Sequence, residues 1–129
     1  MIRFPRAIDI VTLFSKAGSP TSTRIAQSLK NAAIASANAD SNMRVPFEVD
    51  VTEQAPTEDQ VRTILSYVGA NGISSIISGA TSEAEALKKY KLAPESFQRP
   101  VVVDWNNAKV VAGENESEIL KMVNAQKQA

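Results

Sequence analysis

The stretch that most constrains this chain is Ile10–Arg24, IVTLFSKAGSPTSTR, in which a strand turns at once into a capped helix. Residues Ile8 to Phe14 form a short apolar run with β-branched members, bounded by Pro5 and Gly18, and predict a buried strand. Ser19 suits the N-cap, because its hydroxyl can accept from backbone N–H groups that a helix start leaves unpartnered. Pro20 fits the first helical position, where its missing N–H costs nothing. Beyond it Ile25, Leu29 and Ala32/Ala33 fall on one apolar stripe of a helix running to about Ala37.

The rest of the chain punctuates itself in the same way. Asn31–Asn42 is rich in Ala, Asn and Ser and reads as a helix end fraying into a loop. In Val45–Val51 the alternation places Val45, Phe47, Val49 and Val51 on one face of a strand and Glu48 and Asp50 on the other, with Pro46 near its start. Pro56 precedes a capping box, Thr57-Glu-Asp-Gln60, and a helix striped with Val61, Ile64, Leu65 and Val68 stops at Gly69. Ile73, Ile76 and Ile77, between Gly72 and Gly79, predict a short apolar turn under the helices rather than a strand. A second box, Ser82-x-x-Glu85, starts a helix to about Tyr90.

Arg99–Asp104 predicts a strand with Pro100 at its head. Trp105-Asn106-Asn107 predicts a tight turn, since Asn tolerates positive φ, and Ala108–Val111 returns as the partner strand. Ala112-Gly113 breaks it, and Asn115 with Glu118 caps a last helix bearing Ile119, Leu120, Met122 and Val123. The order is β-α-β-α, a short helical connection, then β-β-α. Two strands joined by a helix imply a parallel crossover and the hairpin an antiparallel edge, hence an α/β fold with a mixed sheet and helices on both faces. No repeat or linker divides residues 1–129, which form a single domain of ordinary core size.

Composition narrows the chemistry. The chain has no cysteine and no histidine. It therefore lacks a disulfide, a thiolate nucleophile, a thiolate or imidazole metal site and a His general base. Fourteen basic residues balance fourteen acidic ones, so no basic field for nucleic acid or a membrane surface exists. No apolar run approaches the roughly 20 residues of a membrane span. Arg3 and Arg6 in MIRFPRA are faintly like a mitochondrial address, but a strand beginning so soon leaves no room for a cleaved leader.

The motifs also carry a resemblance. VTLFSKAGSPTS resembles the glutaredoxin opening, in which a strand ending Phe-Ser-Lys leads into Cys-Pro-x-Cys; Ser19 and Ser22 stand at the two cysteine positions. RPVVVDWNNAKVVAGENESEILKM is similar to the glutaredoxin and arsenate-reductase-like ending, with Pro100 at the place of a cis-proline, and EQAPTEDQVRTIL resembles the second helix of the arsenate-reductase-like proteins. From FPRAIDIVTLF through VDWNNAKVVAGENESEIL the chain resembles a fungal family of thioredoxin-like mitochondrial redox proteins. That resemblance implies a thioredoxin-like fold, a mitochondrial location and reduction of small molecules. The family's redox role rests on a cysteine before the VDW strand, whereas the neighbourhood here, Lys88-Lys89-Tyr90, has no thiol.

Two functions follow. In one, Ser19, Thr21, Ser22 and Arg24, with Arg99 and Pro100 brought alongside, bind a small anionic or glutathione-like ligand at a helix N-terminus; Thr23 adds a donor. In the other, Ser19 is only a cap and the protein is a non-catalytic interaction module, part of a larger mitochondrial assembly, that meets a protein partner around Trp105 and the edge strand. Trp105 fits an exposed anchor or a cover for the sheet edge. A Ser nucleophile would need a base, and Lys16 is the nearby candidate. Asp104 with Glu48 or Asp50 reads as paired carboxylates or as a solvated face, and no spacing matches a metal loop. Glu114, Glu116 and Glu118 suit a helix start. Whether the protein is an enzyme stays open, with thiol-redox catalysis of its own disfavoured.

Overall fold

In the computed structural model, which describes residues 9–37 and 47–124, four strands make one mixed sheet. They are β1 (Asp9–Phe14), β2 (Phe47–Thr52), β3 (Val101–Asp104) and β4 (Lys109–Ala112), arranged β2-β1-β3-β4. β1 and β2 are parallel, with Val11 opposite Val49. β3 runs antiparallel to both of its neighbours, setting Leu13 against Val102 and Val102 against Val111. The helices are α1 (Pro20–Ala37), α2 (Glu58–Val68), α3 (Ile73–Ile76), α4 (Glu83–Leu92) and α5 (Glu116–Asn124).

Because side chains alternate along a strand, β1 feeds two cores. Val11 and Leu13 face α1 and α5 and pack with Ile25, Leu29, Phe47, Val102, Ile119 and Val123. Phe14 faces the other way with Val101 and Val103, against Val61, Ile64 and Leu65 of α2, the Ile73/Ile76 turn and Tyr90 of α4. Helices thus cover both faces, as the element order implies. The caps read from the sequence close as expected. Thr57 and Gln60 form both halves of the capping box, Ser82 accepts from the Glu85 N–H, and Asn115 accepts from the Glu118 N–H at 3.1 Å. The apolar isoleucines make a single helical turn, α3, and Ile77 then bridges to Phe97.

Three expectations change. Val51, placed on one face with Phe47 and Val49, is 37% exposed where Phe47 is buried, because it lies next to the end of an edge strand with no strand beyond it among the described residues. The hairpin's positive φ falls on Ala108, at 55°, and not on an asparagine. The Asn side chains are engaged instead: Asn106 Oδ1 accepts from the Ile10 N–H at 2.8 Å, and Asn107 Nδ2 donates to Asp104 and Asp9. α4 runs two residues further than predicted, to Leu92. Pro5, Arg3, Arg6, Ile8, Val45, Pro46 and the far end of the Asn31–Asn42 stretch lie outside the described residues.

Candidate functional site

The end of β1 and the head of β3 meet at the carboxyl end of the parallel strands. Ser15 continues the ladder, its N–H donating to Thr52 O at 2.8 Å. The chain then turns through Gly18, whose φ of 73° suits glycine. Two hydroxyls lock the turn. Ser19 Oγ caps α1 by accepting from the Ser22 N–H at 3.2 Å, and Ser22 Oγ accepts from the Lys16 N–H at 3.1 Å. Ser22 is 1% exposed, so its hydroxyl is spent on the loop. Thr23 Oγ1 donates to Ser19 O, while Thr21 stays half-buried at the head of the helix.

Across from this turn, Gln98 N–H donates to Ile76 O at 2.8 Å, and the Arg99–Pro100 peptide is cis, as the resemblance expected. Pro100 is buried. Nη1 of Arg99 donates to the carbonyls of Ser15, at 3.3 Å, and of Glu53. One guanidinium nitrogen thereby ties the ends of both parallel strands to the lead-in of β3. A cleft of about 390 Å³ opens beside it, lined by Lys16, Glu95, Phe97, Gln98 and Arg99.

Lys16 and Arg99 therefore share a cleft, with Glu95 opposite in charge on its rim. Arg24 turns the other way, its Nε 3.4 Å from Glu116 of α5. Sequence reasoning missed Glu95, Phe97 and Gln98 as lining residues, since nothing periodic marks them. Their place comes from the 3-10 turn Pro94–Ser96 and from the bridge between Ile77 and Phe97. A larger cleft of about 410 Å³ lies over β1 and β2, with Thr12, Asp50, Thr52, Gln54, Ala55 and Gln60 among its walls.

The other candidates resolve as packing. Trp105 covers the sheet: Nε1 donates to Thr12 Oγ1 at 2.8 Å, and its ring meets Tyr67 edge-on at 6.4 Å. Asp104 is buried and shares the Asn107 amide with Asp9, at 2.9 and 3.0 Å, rather than facing Glu48 or Asp50. Among the described residues no three acidic side chains converge as a metal would need, and no helix is long and apolar enough to cross a membrane. Tyr90, under the cleft, has its hydroxyl pushed above the ordinary value of 10.0 by burial, with the nearby Arg99 charge acting against that rise.

Comparison with known proteins places this geometry in context. The model of a family described as "Protein of unknown function (DUF1687)" matches residues 3–113. The chain is 37% identical over 101 residues to "Putative redox protein fmp46, mitochondrial" of Schizosaccharomyces pombe, which covers 78% of this chain and 80% of that relative. No solved structure matches.

Proposed function

The chain belongs to the DUF1687 family, and from that footing we propose that it is a mitochondrial, thioredoxin-like protein of redox lineage that binds a small anionic, glutathione-like ligand without thiol chemistry of its own. The observation that carries this reading is the convergence of Lys16 and Arg99 on one cleft beside cis-Pro100. Two cations in a partly enclosed site favour carboxylate or phosphate groups, and arginine adds paired, directional donors. Among the described residues Nε and Nη2 of Arg99 make no hydrogen bond and are left for a ligand. Glu95 supplies an acceptor for the ammonium group that a glutathione-like molecule also carries.

The thioredoxin-like reading is supported by the strand–helix–strand opening, the hairpin that follows Pro100 and the glycine turn at Gly113 before the last helix. The mitochondrial and redox parts are supported by the name of the fission-yeast relative. Thiol–disulfide exchange requires a thiolate, and this chain has no cysteine. The partner-docking alternative has less support, because Trp105, its proposed anchor, is folded onto Thr12 and Tyr67. The test is an NMR titration of ¹⁵N-labelled protein with reduced glutathione and then inorganic phosphate. Shifts confined to the Lys16–Thr21 turn and to Gln98 and Arg99 are expected. A flat response at millimolar ligand would overturn the proposal.

A further inference from the structure

Arg99, which lines the smaller cleft, is hydrogen-bonded to the carbonyl of Glu53, the residue before Gln54 in the wall of the larger one. The connection from β2 to α2 spans only residues 53–57, and it is pinned at two carbonyls. Arg99 Nη1 holds Glu53 O, and the buried Tyr90 hydroxyl donates to Pro56 O. Between those pins lie Gln54 and Ala55, both exposed and both lining the larger cleft. Gln54 is held locally by its N–H to Thr52 Oγ1 at 3.1 Å. The Pro56 pin sits in the core with Tyr90, whereas the Glu53 pin hangs on a half-exposed guanidinium at the mouth of the smaller cleft. The more exposed of the two pins is therefore the arginine.

We propose that Arg99 is a strap that couples the two clefts: a ligand held on the free edge of its guanidinium fixes Gln54 and Ala55, the wall of the larger cleft. The geometry dictates the sign. Nη1 carries two N–H groups, and both are spent on the Ser15 and Glu53 carbonyls. An anion must then approach the Nε/Nη2 edge, which leaves the strap intact and removes the freedom of the side chain that ties it. Ordering one end of a connection lowers the entropy left to lose at the other, so occupancy of the small cleft stiffens the large one with little change of shape. The coupling is reciprocal: whatever fills the larger cleft and stills Gln54 also improves anion binding at Arg99.

The coupling rests on the ligand site proposed above, while the strap itself does not, and the experiment separates them. Backbone order parameters at Gln54 and Ala55 are measured by ¹⁵N relaxation in the free wild-type protein, in R99Q and in R99K, and in wild type with glutathione. In R99Q the values at those two residues are expected to fall below those of free wild type, toward the flexible range of about 0.6, with β1 and α2 unchanged. R99K keeps the charge, but its ammonium nitrogen ends one bond short of the position of Nη1 and cannot reach both carbonyls, so it shows the same loss and keeps the test valid if R99Q folds poorly. Unchanged order in both variants overturns the strap. Glutathione shifts at Gln98 and Arg99 with no gain of order at Gln54 and Ala55 overturn the coupling alone. Absence of any shift overturns the ligand reading, and with it the coupling, while the variants still decide the strap.

Discussion

Trp105 and Thr12 are joined across the sheet by a 2.8 Å hydrogen bond from the indole Nε1 to the threonine hydroxyl. The bond explains why a hydroxyl occupies a position that is 5% exposed on a strand otherwise committed to two apolar cores. It also fixes the ring against Tyr67, whose own hydroxyl donates to the Trp105 carbonyl at 3.3 Å. Replacing Thr12 by Val keeps the shape and β-propensity but strands the indole N–H. Leaving a donor unsatisfied costs about 1–3 kcal/mol, and the half-buried ring puts the expected loss at the lower end. Urea unfolding followed by tryptophan fluorescence checks this, since Trp105 is the chain's single tryptophan. An unchanged midpoint would mean that water replaces the threonine.

The hairpin turn offers the opposite sign. Ala108 holds a φ of 55° just before β4, a region in which a Cβ is crowded by the backbone. Glycine has no such crowding but more freedom to lose on folding. The balance predicts that Ala108→Gly stabilises the protein by about 0.5–1 kcal/mol. A lower melting temperature for the variant would show that the alanine methyl makes contacts that outweigh its strain.

The turn also shows where sequence reasoning runs out. Asn106 and Asn107 mark a turn correctly, because their side chains can satisfy nearby backbone groups. Which residue takes the left-handed conformation depends on the pairing of Asp104 with Lys109, and register is not written in local composition. Local features such as the Thr57–Gln60 box, the Ile25–Leu29 stripe and the Ser19 cap were legible for the same reason that they form: each is decided within one helical turn. Arg24 and Arg99 illustrate the limit at the site. Both are cations near the predicted helix head or its partner strand, yet one pairs with Glu116 across to α5 and the other reaches Ser15 and Glu53. Only the packing of α1 on α5, and of β3 beside β1, separates their roles.

Tyr90 predicts a stability profile at alkaline pH. Burial, opposed by the Arg99 charge, holds the phenol neutral in the folded state beyond its ordinary value of 10.0. The unfolded chain ionises first as pH rises. The contribution is therefore fully present below pH 10 and is lost as pH climbs through the raised folded value. Tyr90→Phe also removes the bond to Pro56 O, at a cost of about 1 kcal/mol near neutral pH. Chemical unfolding at pH 8 and above pH 10 should show wild type converging on the variant. Parallel losses in the two proteins would place the alkaline sensitivity elsewhere.

Ser19 and Ser22 can be told apart by introducing sulfur one position at a time. Ser19 is half-buried at the head of α1 and accepts from the Ser22 N–H. A thiol there gains both that donor and the positive end of the helix, which lower its pKa below the ordinary 8.5 or so and favour the reactive thiolate. Ser22 is 1% exposed and points back at the Lys16 N–H. A thiol in that place is shielded from reagent. Ser19→Cys is therefore expected to react with iodoacetamide at neutral pH at least about tenfold faster than Ser22→Cys in the folded protein, with the difference vanishing in denaturant. Equal rates in the folded state would mean that the turn opens readily, and that the hydroxyl lock on Lys16 does not hold the loop. Faster reaction at the second position would reverse the assignment of which side chain is open to reagent.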